Sequence, residues 1–108
     1  MRVEDKERAD GREMCSELVE VSFHDQTGNL VCEKGLLEDL SKEGLCFSLA
    51  IPVTVGLEME FRCDGFSGKV YVCYCNLGEY GYLVGAEFAN GCGWDKERWR
   101  PKHLISLS

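Results

Sequence analysis

The feature that most constrains this chain is a period of two. From Leu18 onward apolar and polar residues alternate. Val19, Val21 and Phe23 alternate with Glu20 and Ser22, and later Leu57, Met59 and Phe61 alternate with Glu58, Glu60 and Arg62. Successive side chains of an extended strand point to opposite faces, so this pattern gives one face to a core and the other to water. Turn-forming clusters separate the runs: Asp25-Gln26-Thr27-Gly28-Asn29, Asp64-Gly65 and Leu77-Gly78-Glu79. Strands are expected from Leu18 to the first turn, over 30–40 with a break or bulge near Gly35, and over 44–49 with Leu45, Phe47 and Leu49 inward. Further strands are expected over 57–62, 69–76 and 80–88. About six short strands joined at hairpin spacing describe an all-β barrel or sandwich.

Residues 1–17 lack the periodicity and read as a flexible N-terminal arm, leaving 18–108 for the barrel and its C-terminal segment. A chain of 108 residues suits one domain. Trp94 to Leu107 departs from the strand pattern, and a short C-terminal helix from about 95 or about 100 is expected there, since Pro101 is tolerated in a first helical turn.

Charge bounds the partners. The formal net charge is −7, which disfavours general DNA or RNA binding because phosphate contacts need a basic face. Its cations are unevenly placed. Arg2, Lys6, Arg8 and Arg12 lie at one end and Lys96, Arg98, Arg100 and Lys102 at the other, eight of the twelve in all. Any anion site is therefore expected to draw on the termini. No apolar run is long enough for a membrane-spanning helix, and Met1 to Glu7 lacks the apolar core of a secretion signal. A cytoplasmic location, no membrane insertion and reduced thiols are expected.

The seven cysteines fall mainly in apolar strand-like runs, where a free thiol packs as a small hydrophobe. Cys73 and Cys75 would share one strand face without a nearby histidine, a weak zinc half-site. His24 reads as an exposed turn residue. Trp94 and Trp99, among Arg98, Arg100 and Lys102, read as the seal of a barrel end with the cations reaching outward. No arrangement of nucleophile, base and oxyanion donor is legible, so neither an enzyme nor a bound cofactor is expected.

Two short motifs carry chemistry. Asp39-Leu40-Ser41-Lys42-Glu43-Gly44 joins two expected strands, and Arg8-Ala9-Asp10-Gly11-Arg12 lies upstream in the arm. A carboxylate can accept from a base edge, a hydroxyl can meet a phosphate, and guanidiniums grip phosphates or stack on rings. The same residues have plainer uses. Asp39 and Ser41 can cap a turn, and Arg8 and Arg12 can pair with Glu7, Asp10 and Glu13 along a solvated arm.

Both motifs in this order, on this strand pattern, resemble the PilZ domain, the bacterial receptor module for cyclic di-GMP. That family carries R-x-x-x-R in its N-terminal arm and [D/N]-x-S-x-x-G at the turn after its second strand. Tyr82-Leu83-Val84-Gly85-Ala86-Glu87-Phe88 is similar to the family's closing strand. The resemblance implies a six-stranded antiparallel barrel in which Arg8, Arg12, Asp39, Ser41 and Gly44 bind cyclic di-GMP. It further implies an arm that orders over the ligand and signals to a protein partner in trans. The alternative is a PilZ-like protein-interaction module with little or no nucleotide binding.

Overall fold

The computed structural model describes residues 13–89 and 104–105. It is all-β among these residues. Seven strands follow one another: β1 (Glu13–His24), β2 (Leu30–Leu40), β3 (Gly44–Leu49), β4 (Glu58–Cys63), β5 (Phe66–Gly78), β6 (Gly81–Phe88) and the two-residue β7 (Leu104–Ile105). The sheet order β2-β3-β6-β5-β4-β1, with β1 also paired to β2, closes six antiparallel strands into a barrel. Closure leaves most backbone groups paired around the ring. The short β7 lies against the start of β1, through Met14↔Ile105 and Cys15↔Leu104.

The alternation fixes which side of each strand is buried. Val19 and Val21 of β1, Met59 and Phe61 of β4, and Leu45, Phe47 and Leu49 of β3 all lie in the core. Phe47 is fully enclosed at 0% exposure, and burying a side chain of that size contributes about 2–3 kcal/mol. One end of the barrel is filled by Phe61, Phe66 and Phe88, whose ring centroids stand 5.2–6.0 Å apart in edge-on and tilted contacts.

Within β2 and β5 the period of two breaks, and each break positions something on the outer surface. In β2 the register to β3 slips between Leu37 and Asp39. Leu37 and Leu40, three apart, are both fully buried, which only an extra residue, Glu38, allows. The bulge expected near Gly35 therefore sits three residues further on. Gly35 keeps its register opposite Val19, and its lack of a side chain serves a crossing: a Cβ there would lie 2.1 Å from the Ser48 carbonyl oxygen. In β5 the slip falls between Val72 and Tyr74. Cys73 is consequently exposed while Cys75 packs against the core, so the two thiols do not share a face as the plain alternation implied.

The strand ends also differ from expectation. β1 begins at Glu13, five residues before the alternation does, because a register slip between Met14 and Glu17 interrupts the pattern. β5 runs on through Leu77 and Gly78, and the turn follows at Glu79 and Tyr80. The expected C-terminal helix and the tryptophan pair fall largely outside the described residues; at Leu104–Ile105 the chain is extended.

Candidate functional site

β2 ends at Leu40 and β3 begins at Gly44, so the hexapeptide Asp39 to Gly44 forms a tight connection at one end of the barrel. The Ser41 backbone N–H donates to the Gly44 carbonyl at 2.9 Å, and the Gly44 N–H donates to Ser41 Oγ at 3.3 Å. The Phe88 N–H donates to the Glu43 carbonyl at 2.8 Å, tying the connection to the end of β6. The Ser41 hydroxyl is thus part of the turn.

Gly44 is buried and its φ is not in the left-handed region. Its requirement is space. A Cβ at this position would lie 2.0 Å from the Ala86 carbonyl oxygen on β6. The backbone that comes close to Gly44 is that of the neighbouring strand.

Asp39 owes its orientation to the bulge at Glu38. Beyond the bulge, Leu40 turns inward and Asp39 outward, beside Cys46 of β3 and abreast of Met14 of β1. The outward row continues across the sheet as Cys46, Gly85 and Tyr74. Gly85 leaves room for a ring: its Cβ would stand 2.1 Å from Tyr74 Cε2. Lying there, Tyr74 donates its hydroxyl toward Cys46 Sγ at 3.6 Å, and Cys46 is buried although it belongs to the outer face.

These residues enclose an open cavity of about 340 Å³ on the outer surface. Asp39, Ser41 and Gly44 line it together with Cys46, Tyr74 and Glu87, the last paired with Gly44 across β3 and β6. The sequence motif thus brings together three of the five expected site residues. Arg8 and Arg12 lie outside the described residues. Among the described lining residues the charges are all negative, Asp39, Glu43 and Glu87. Partial desolvation against the sheet, with Glu87 as a nearby like charge, pushes the thiol of the exposed Cys73 up from its ordinary value.

Sequence reasoning missed Tyr74, Gly85 and Glu87 as companions of the motif. Gly85 stood out within the closing strand, but its purpose depends on the cross-strand pair with Tyr74, which the bulge at Cys73 displaces by one residue.

A larger cavity of about 490 Å³ lies elsewhere on the outer surface, between the β1–β2 and β4–β5 hairpins. Its cations are already engaged: Arg62 pairs with Glu20, and Lys69 with Glu58 at 3.1 Å. With Glu60 also in its wall, its described lining residues offer no net positive field for an anion. No group of three or more His, Cys, Asp or Glu capable of holding a metal occurs among the described residues. No family model, curated protein sequence or solved structure matches this chain.

Proposed function

We propose that this chain is a PilZ-like receptor for cyclic di-GMP, in which an N-terminal arm carrying Arg8 and Arg12 closes over the cavity beside Asp39, Ser41 and Gly44 and presents the result to a protein partner in trans. The observation that carries the reading is the convergence of the three motif residues on one open cavity at the end of the barrel where β1 begins. The register Glu13↔Leu40 brings the first residue of β1 alongside the motif. Covalent geometry keeps the Cα of Arg12 about 3.8 Å from that of Glu13, so a guanidinium can reach the cavity without a long excursion. Asp39 accepts from guanine N–H groups in this reading, Tyr74 offers an apolar floor, and the arginines meet phosphates or stack on the bases.

Calorimetric titration with cyclic di-GMP tests the reading. A charge-assisted contact to phosphate contributes roughly 1.5–3 kcal/mol, so Arg12→Ala is expected to weaken binding about 10- to 150-fold. Equal heats from the two proteins, or no heat from either, would sink the receptor reading.

The acidic rim favours a second reading. Asp39, Glu43 and Glu87 surround the cavity on a chain of net charge −7. Ser41 and Gly44 have roles in the barrel that need no ligand. A PilZ-like protein-interaction module with little nucleotide affinity fits those facts, and it predicts the absence of heat in the same titration.

A further inference from the structure

The β2 half of the β1–β2 hairpin runs beyond its pairing with β3 and leaves one strand edge open among the described residues. β2 pairs with β1 along Leu30–Gly35, through His24↔Leu30 to Val19↔Gly35. On its other side β2 meets β3 only from Leu36 onward. Leu30 to Lys34 therefore form an edge that pairs with no described strand. Leu30 is 62% exposed, Cys32 and Lys34 are exposed, and Val31 and Glu33 are half-buried.

The direction of the edge's backbone groups follows from the hairpin turn. The Asp25 N–H donates to the Asn29 carbonyl at 2.9 Å, which makes Asp25 and Asn29 a hydrogen-bonded pair. Bonded and non-bonded pairs alternate along an antiparallel ladder. Phe23↔Val31 and Val21↔Glu33 are then bonded pairs, while His24↔Leu30, Ser22↔Cys32 and Glu20↔Lys34 are not. The N–H and C=O groups of Leu30, Cys32 and Lys34 consequently point away from β1, toward the open edge. Such a row of groups is a template for another strand.

We infer that this edge pairs with the same edge of a second copy of the chain, antiparallel, about a two-fold axis through Cys32. The register is dictated by the groups on offer. Bonded pairs require outward-pointing residues on both strands, and pairing past Gly35 is blocked by Ser48, whose carbonyl oxygen lies 2.1 Å from where a Gly35 Cβ would stand. The arrangement that uses the whole edge sets Leu30 opposite Lys34, Cys32 opposite Cys32, and Lys34 opposite Leu30. About six backbone hydrogen bonds form. Glu33 meets Val31 rather than another charge, so no like charges stand opposed. The aliphatic stem of each Lys34 covers the exposed Leu30 of the other copy. A five-residue edge spans about 17 Å and buries less than the roughly 1,000 Å² of a stable interface, so the dimer is reversible and concentration-dependent.

Sedimentation of the full chain under reducing conditions tests this, with an expected dimer dissociation constant of roughly 10 µM to 1 mM. Cys32→Pro removes an edge-facing N–H that β1 does not use, and should abolish the dimer while circular dichroism stays native; Cys32→Ala should leave the dimer intact. Leu30→Lys places lysines opposite Lys34 and should also give a monomer. The double variant Leu30→Lys, Lys34→Glu should restore association through opposite charges. Mild oxidation with diamide should trap a Cys32–Cys32 link, identified by mass spectrometry. Its absence from oxidised dimers, a monomer at every concentration up to about 1 mM, or a dimer that survives both Cys32→Pro and Leu30→Lys would overturn the inference.

Discussion

Gly44→Ala places a methyl group where the barrel has no room. The new Cβ would stand 2.0 Å from the Ala86 carbonyl oxygen and 3.0 Å from Glu87 Cα. These are backbone atoms of β6 and cannot swing aside. Relief requires β3 and β6 to separate by about 1 Å at the pairs Gly44↔Glu87 and Leu45↔Ala86. Forced overpacking of this kind costs about 1–3 kcal/mol. The same separation stretches the local ladder and the Phe88 N–H contact to Glu43, now 2.8 Å, and each hydrogen bond weakened removes a further 0.5–1.5 kcal/mol or so. The expected loss is about 2–4 kcal/mol.

For a domain of this size that loss lowers Tm by something on the order of 10–25 °C, read by calorimetry or circular dichroism without ligand. Gly65→Ala is the control. A Cβ at Gly65 meets nothing within 4 Å and its φ is not left-handed, so its stability should change by no more than about 0.5 kcal/mol. A Gly44→Ala melt within about 4 °C of wild type would refute the reasoning, since the strands would then be free to part at little cost. The experiment also bears on function. A glycine demanded by strand packing cannot report on ligand contact, so lost binding in Gly44→Ala says nothing about the ligand.

Further outcomes follow from the same geometry. Gly85→Ala should drive the Tyr74 ring off its seat, because the added Cβ meets ring atoms at 2.1–2.8 Å; Cys46, 6% exposed in the native protein, should then react with a thiol reagent far faster, and an unchanged labelling rate would contradict the stacking. Burial, with Glu17 and Asp64 adding like charge, pushes the Cys63 thiol up to about 12 from an ordinary value of 9.0. The native state keeps a proton that the unfolded chain loses across that window. Cys63 therefore contributes a stability that falls by about 1.4 kcal/mol per pH unit above pH 9, measurable as the difference between wild-type and Cys63→Ala denaturation midpoints. Hydrogen bonds from Thr27 and from the backbone of Asn29 hold the Asp25 carboxyl below the usual carboxylate range. Its contribution is present above that range and lost as pH falls through the depressed value, and carboxyl-carbon NMR should find it titrating later than other aspartates on acidification.

The barrel was legible because its strands bury one face each. Val19, Val21, Met59, Phe61, Leu45, Phe47 and Leu49 announce their side by alternation alone. The bulges were harder, although β2 contains a trace of one: Leu37 and Leu40 have opposite parity, and both can be buried only if a residue is inserted between them. Glycine commonly marks such sites, which points to Gly35, but that residue marks the close approach of Ser48 instead. The site was partly legible for a related reason. Asp39, Ser41 and Gly44 belong to one contiguous turn, whereas Tyr74, Gly85 and Glu87 reach the same cavity through two further strands. A contact made by cross-strand register leaves no local signature, and the one-residue slip at Cys73 conceals it further.

The motif and the fold are not independent witnesses. Ser41 closes the turn, Gly44 admits β6, and a bulge that the core requires sets Asp39 outward. Ligand recognition must add something that the barrel does not already use. The rim works against a nucleotide with two phosphates. At about 8 Å in water each carboxylate–phosphate pair repels by roughly 0.5 kcal/mol, so Glu43 and Glu87 against two phosphates sum to about 2 kcal/mol, or a little under about 1 kcal/mol after physiological screening. One charge-assisted arginine contact contributes about 1.5–3 kcal/mol, which exceeds the screened repulsion by roughly 1–2 kcal/mol. Two arginines leave a clear surplus. Under the receptor reading, one engaged guanidinium already outweighs the screened repulsion of the rim and the second adds a similar amount, so losing either Arg8 or Arg12 weakens binding and losing both removes the surplus.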